Sequence, residues 1–464
     1  MTHTGAEPAS FRDPDSAVFY AEGRVLRGLS ERAAADWECL QATQFFPALL
    51  ADGRVVGTES VTGDAPPSPR GDAWAMVLEH ERIPVISYPF EWPFAMLRAA
   101  AELHLEILLA GLAEGFSMKD GYAYNVQFRG SRPTFIDVGS FEPATGPWPG
   151  YRQFCMTFLY PLLLQAHLGI AYQPYLRGSV NGLEPRDVAG MFKGRRKWRK
   201  GVFRNVVLHA AADKRVTTST EQMKRQLNSA GFGVELAKAT TTKLLKLVRK
   251  LDVGKRNTTW ADYRDTCSYS DADALAKQAF VGTAVAEAAP QLVLDLGAND
   301  GEYSLIAAQH APQVVAVDGD EQVIDQLYRR LHAEGNDRIL PLVMNLVDPS
   351  PGLGWRSRER APFAERVRPD MVLSLALVHH LAISANVPIP DVIAWLHSFD
   401  APVVVEFPHV EDPMVQRLLA NKPAGLFDDY RLDAFEKLLE AAFDVRRREV
   451  LPGGTRTLFL VTPR

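Results

Sequence analysis

Beyond about residue 258 the chain alternates short apolar runs with helix-like stretches. Leu292–Leu296, Val314–Val317, Ile339–Met344, Met371–Leu375 and Val403–Phe407 are runs of mostly Val, Leu and Ile, too short for helices, and they read as strands buried on both faces. Between them Ser304–His310, Gln322–His332 and Pro390–His397 read as helices, and Asp433–Ala441 as a further one after the last run. Strand and helix at this spacing predict a parallel sheet covered on both sides. The end of the chain breaks the rhythm: Asp444–Val450 and Thr455–Val461 flank Leu451-Pro-Gly-Gly454, which predicts an antiparallel hairpin closing the sheet. The fold class expected for residues 258–464 is therefore α/β.

Earlier residues follow no such rhythm. Pro93 to Gly115 is rich in Leu, Ala and Met with few breakers and predicts a long buried helix, while Pro-rich loops fall at Ala65–Pro69 and Glu142–Gly150. Residues 1–190 are expected to form an α+β domain that recognises substrate. A chain of 464 residues, at roughly 150 residues per domain, has room for about three such units. Between the two regions, Met191 to Arg256 carries 18 Lys and Arg against 4 Asp and Glu, although the whole chain has a net charge of -5. With Leu244, Leu245, Leu247, Val248 and Leu251 among Lys243, Lys246, Arg249 and Lys250, residues 191–257 read as a basic helical connector. It offsets an acidic remainder, meets an anionic substrate or carrier, or grips nucleic acid; Trp198 is the one aromatic interleaved in Arg195–Lys200.

Cys39, Cys155 and Cys267 are far apart with no metal-ligand spacing, which predicts neither a disulfide framework nor a zinc site. The first residues lack a basic-then-apolar pattern and no apolar run approaches the ~20 residues of a membrane span, so a cytoplasmic protein is expected.

The sharpest chemical signal is Val293-Leu-Asp-Leu-Gly-Ala-Asn-Asp-Gly-Glu-Tyr-Ser304. A strand ends at Asp295, a turn with Gly297 and Gly301 follows, and a helix begins, which lets the backbone approach a nucleotide-like ligand. The second strand ends at Asp318, placed to accept two ribose hydroxyls. A pyrophosphate would want a second glycine where Asn299 stands and would be repelled by Asp300; an ammonium-bearing ligand without phosphates suits the turn better. These features, with the third strand running into Asn345 and the fourth into Leu377-Val-His-His-Leu381, resemble the class I S-adenosylmethionine (SAM)-dependent methyltransferases. VHHLAIS and VEFP are similar to a bacterial branch often grouped with nodulation-type methyltransferases.

The resemblance implies a Rossmann-like seven-stranded domain in which Asp295 and Gly297 surround the methionine part of SAM, Asn299 and Gly301 belong to the same cofactor-binding turn, Asp318 holds the ribose, and Asn345 lies near the adenine. His379 or His380 is a candidate general base, Glu406 could orient an amine or hydroxyl, and Trp260 with Tyr263 could wall the ligand. The acceptor is expected to be a small or medium-sized molecule, free or carrier-bound, methylated on O, N or C; an RNA acceptor held by the connector is the alternative.

Residues 94–140 carry a second pattern. Asp120 and Asn125 in D-x-x-x-x-N spacing, followed by Asp137-Val-Gly139, resemble the catalytic loop and metal-binding D-x-G of protein-kinase-like phosphotransferases. That resemblance implies Asp120 as base and Asn125 with Asp137 as ligands of magnesium bound to a nucleotide. Met118 stands where such loops have histidine, and neither a phosphate loop nor a V-A-I-K-like strand is evident upstream.

Overall fold

The computed structural model describes residues 5–62, 71, 74–213, 232–254 and 270–464. It divides into two units, one of residues 1–128, 133–255 and 351–361, the other of 129–132, 256–350 and 362–464. Trp260, Tyr263 and Cys267 lie outside the described residues; Cys39 and Cys155 are free thiols.

The first unit opens with an antiparallel sheet. Its strands β1 (Gly5–Ala6), β2 (Ser16–Ala21), β3 (Arg24–Leu29), β4 (Thr58–Ser60) and β5 (Met76–His80) lie in the order β1-β2-β3-β5-β4. The predicted long helix is α1 (Phe94–Ala113), buried along most of its length, and two small pairs follow: β6 (Phe116–Met118) with β9 (Phe141–Pro143), and β7 (Val126–Arg129) with β8 (Arg132–Phe135). Much of the basic segment also belongs to this unit. Its α2 (Phe232–Val248) packs along α1, burying Leu244, Leu245, Leu247 and Val248 while Lys243, Lys246 and Lys250 stay exposed. Arg249 pairs with Glu102 and Glu106 of α1, so part of the basic charge is met inside the unit.

The second unit begins with α3 (Asp271–Ala288), whose start is fixed by a capping box between Ser270 and Asp273. Then come β10 (Leu292–Leu296), α4 (Glu302–Ala307), β11 (Gln313–Asp318), α5 (Glu321–Ala333), β12 (Ile339–Val343), β13 (Met371–Ser374), α6 (Ile389–His397), β14 (Val403–Pro408), α7 (Leu432–Ala442), β15 (Phe443–Val450) and β16 (Arg456–Pro463). The seven strands lie in the order β12-β11-β10-β13-β14-β16-β15. Pairs from β12 to β14 are parallel and β16 is antiparallel to both neighbours.

Predicted and observed strands differ by a residue or two, for reasons visible in the ladder. Gln313 pairs with Leu292 and Asp318 with Val343, so β11 reaches one residue past its apolar run at each end. Helix α4 starts earlier than expected because Gly301, at φ +80, turns the chain into it. Against the sheet, Phe280, Val281, Ala284 and Val285 of α3 and Ile324, Leu327 and Leu331 of α5 form one core with Val293, Val314 and Met371. The chain order reverses between β10 and its two neighbours, which opens a crevice at the carboxyl ends of the strands where such sheets take ligands.

Candidate active site

A cavity of about 1120 Å³ lies at that reversal, lined from the ends of β10, β11 and β13 and from α3. Asp295, Gly297, Asn299, Asp318, Asn345 and His380, all singled out from sequence, are on its wall. The glycine turn is held down by Gly297 and Ala298, whose backbone N–H groups donate to Val317 O at 2.8 and 3.0 Å. Gly301 is on the turn rather than on the wall. A Cβ there would sit 2.7 Å from Leu327, and its positive φ disfavours any side chain, so its role is to bring α4 in tightly.

Asn299 occupies the second glycine position with φ +49. The left-handed region excludes most side chains but admits asparagine best after glycine, which accounts for asparagine where a pyrophosphate-binding turn would have its second glycine. Its backbone N–H donates to Asp318 Oδ2 at 3.0 Å, and that of Asp320 to Oδ1 at 2.8 Å. Asp318 thus ties the turn to the end of β11 and still carries acceptor capacity on each oxygen. Burial pushes its carboxyl up, opposed by those backbone donors. Asn345 is exposed at the rim, its Oδ1 accepting from the Val347 N–H.

Asp295 is buried, accepts from Ser304 Oγ at 2.6 Å, and has its carboxyl pushed up to about 6 by burial. A ligand ammonium binds the ionised form. The affinity for S-adenosylhomocysteine should therefore rise between pH 5 and 7 and level off above, as read by calorimetry; an Asp295→Asn variant with the same rise would refute this assignment.

The acceptor-side candidates separate. His380 lines the cavity, and burial followed by the Arg456 charge lowers it to about 4, so it is neutral at pH 7 but a weak base. His379 is fully buried with neither ring nitrogen hydrogen-bonded among the described residues, its ring centroid 4.1 Å from that of His380, and it is not among the residues that line the cavity. Glu406 is likewise off the wall. It accepts from the Ala376 N–H at 2.9 Å and pairs with Lys277 at 2.8 Å and Arg456 at 3.1 Å. Its carboxylate holds the end of β13 instead of facing an acceptor.

Lys277 and Tyr303 are cavity residues that sequence reading missed. A signal was there: Lys277 falls on the α3 stripe of Asp273, Phe280, Val281, Ala284 and Val285, where helical spacing buries every side chain.

In the first unit the fold brings Asp120, Asn125 and Asp137 together. Asn125 Nδ2 donates to Asp137 Oδ2 at 3.3 Å, Gln153 Nε2 donates to Asp120 Oδ1 at 3.0 Å, and burial followed by the Asp137 charge raises Asp120. The residue that sequence reading did not find is Arg27 on β3, 2.9 Å from Asp137 Oδ1 and also bonded to His80 and Ser16. Both oxygens of Asp137 are thus engaged, and a divalent cation would have to displace Arg27. Among the described residues no group of three or more His, Cys, Asp or Glu could hold a metal.

A seven-stranded sheet of this order with one antiparallel strand, a glycine turn after its first strand and an acid at the end of its second gives this unit the class I SAM-dependent methyltransferase fold. No family model matches the chain. Over 463 residues the chain is 34% identical to nodulation protein NoeA of Rhizobium meliloti (strain 1021), spanning 98% of this chain and 95% of that protein. The chain therefore belongs to the NoeA family of nodulation proteins. Solved structures similar to it include N-methyltransferase NodS from Bradyrhizobium japonicum WM9 with S-adenosyl-L-homocysteine, at 11% identity over 45% of this chain and 100% of that one, TM-score 0.32. Magnesium protoporphyrin IX methyltransferase from Synechocystis PCC 6803 is similar at 15% identity over 46% of this chain and 90% of that one, TM-score 0.30. At these values the reading of the site rests on its own geometry.

Proposed function

We propose that the second unit transfers the methyl group of SAM to O, N or C of a small or medium-sized acceptor, free or carrier-bound. What carries this reading is the geometry at the two strand ends: Asp295 and Asp318 stand on either side of a phosphate-repelling turn, on the wall of one cavity. Bound there, SAM supplies a methyl group on a sulfonium sulfur; the bond to sulfur breaks as the bond to the acceptor forms, leaving S-adenosylhomocysteine. The residues act mainly by alignment. Asp318 and the turn fix the adenosine and Asp295 the ammonium, while neutral His380 accepts a hydrogen bond or proton from an acceptor.

The wall also speaks to the acceptor. Asp271, Asp300, Glu302, Asp320 and Glu321 line the same cavity, an acidic set that favours neutral or cationic acceptors over phosphate-bearing ones. This weighs against RNA. The relative is named for nodulation, so extracts of nodulating bacteria are the first source of acceptor. Incubating the whole chain with methyl-labelled SAM and such extracts should give a labelled small molecule; label recovered only in RNA would reverse the choice.

A second reading, magnesium nucleotide in the first unit, is favoured by the convergence of Asp120, Asn125 and Asp137. It requires Arg27 to release Asp137. Magnesium with ATP should then raise the melting temperature of the wild type and not of Asp137→Ala, and no rise in the wild type removes the reading. No helix among the described residues is long and apolar enough to cross a membrane.

A further inference from the structure

Among the described residues that line the cavity Lys277 is the only Lys or Arg, and it is 2% exposed. Its Nζ lies 2.8 Å from Glu406 Oε2 and 4.5 Å from the centroid of the Tyr303 ring, which also lines the cavity. Behind it runs a buried line of alternating charge: Glu406 to Arg456 Nη1 at 3.1 Å, then Arg456 Nε to Asp412 Oδ2 at 2.7 Å, with no side chain in the line more than 3% exposed. Two cations and two anions balance, so the line needs no further charge to be neutral.

Such a line is a poor investment in stability, because apolar side chains of similar size commonly hold a core as well or better than a buried ion pair. What it does achieve is to hold an ammonium group at a fixed point on the wall of the cavity that Asp295 also lines. The Lys277 charge is close enough to Asp295 to favour its ionised form. A fixed cation beside a fixed carboxylate is the complement of an α-amino acid, whose own carboxylate and ammonium sit on one carbon.

We infer that Lys277 binds the carboxylate of the methionine part of SAM while Asp295 takes its ammonium, and that Glu406, Arg456 and Asp412 are positioning residues that aim Lys277. This rests on the SAM reading above. It makes the amino-acid end, rather than the adenosine alone, a source of selectivity, and it explains why a lysine stands on the buried stripe of α3.

The test compares two ligands that share adenosine and a thioether. S-adenosylhomocysteine carries the amino acid; 5′-methylthioadenosine does not. By calorimetry on the whole chain, Lys277→Met should weaken S-adenosylhomocysteine about 10–100-fold, the effect of one charge-assisted hydrogen bond, and leave 5′-methylthioadenosine within about 2-fold. Lys277→Arg should recover part of the loss. If Lys277→Met weakens both ligands equally, or neither, the inference is wrong. Should that variant not fold, the wild type still decides: decarboxylated S-adenosylhomocysteine should bind about 10–100-fold more weakly than the parent, and equal binding overturns the inference. A wild type that binds none of these ligands overturns the SAM reading itself.

Discussion

Asp318→Ala should reduce the affinity for S-adenosylhomocysteine at least about 100-fold while the sheet stays folded. Two ribose hydroxyls donating to one carboxylate are charge-assisted bonds of roughly 1.5–3 kcal/mol each, and both vanish with the side chain. The carboxylate also accepts the Asn299 and Asp320 N–H groups, so its removal loosens the glycine turn as well. Asp318→Asn separates the effects, because the amide oxygen can still accept one backbone N–H while its nitrogen cannot. That variant should lose at least about 10-fold by calorimetry with its melting temperature nearly unchanged. Wild-type affinity in Asp318→Ala would remove Asp318 from the site.

The largest effect on stability should come from Arg456→Ala. Arg456 is 2% exposed and stands between Glu406 and Asp412, each fully buried. Taking the cation away leaves Lys277 alone against two carboxylates in a dry interior, at a cost of about 3–5 kcal/mol by analogy with broken buried pairs. Lys277 still reaches Glu406, and Asp412 keeps hydrogen bonds such as those from Met414 N–H and Thr455 Oγ1. Urea unfolding should show the second unit losing its structure at a clearly lower midpoint. Restoring neutrality with Arg456→Met and Asp412→Asn together, which leaves the Lys277–Glu406 pair intact, should recover much of the loss, since the penalty comes from unpaired charge rather than from volume. A midpoint equal to that of the wild type would mean that these carboxylates reach water on their own.

Acidic residues line the cavity of the second unit, and exposed basic residues lie on and just after α2 in the first. The net charge of -5 conceals both. Exposed Lys243, Lys246 and Lys250 remain available to an anionic partner, while the Arg249 pairs with Glu102 and Glu106 show that part of the basic segment is internal to its own unit.

The central strands of the second unit were legible because a strand buried on both faces must be apolar at every position, and little else produces five such runs at this spacing. Asp295, Asp318 and the glycines could be placed for a related reason: they sit where apolar runs stop, at the strand ends where open sheets hold ligands. Asn299 was legible as a departure, and its φ of +49 supplies the reason.

Adjacent residues were harder. His379 and His380 are neighbours in one apolar stretch, and nothing local says which faces the cavity; the turn after β13 points His380 inward and packs His379 behind it. Glu406 looked like a strand-end acid free to meet an acceptor, until β16 brought Arg456 and α3 brought Lys277 against it. In the first unit, the partner of Asp137 is Arg27, more than a hundred residues earlier on β3. By itself the sequence determined where strands, turns and lone polar side chains fall along the chain, because burial and backbone sterics act over a few residues. Which charges meet was decided only in the tertiary structure, because an ion pair depends on distance in space, and the sheet order brings together residues that the chain keeps far apart.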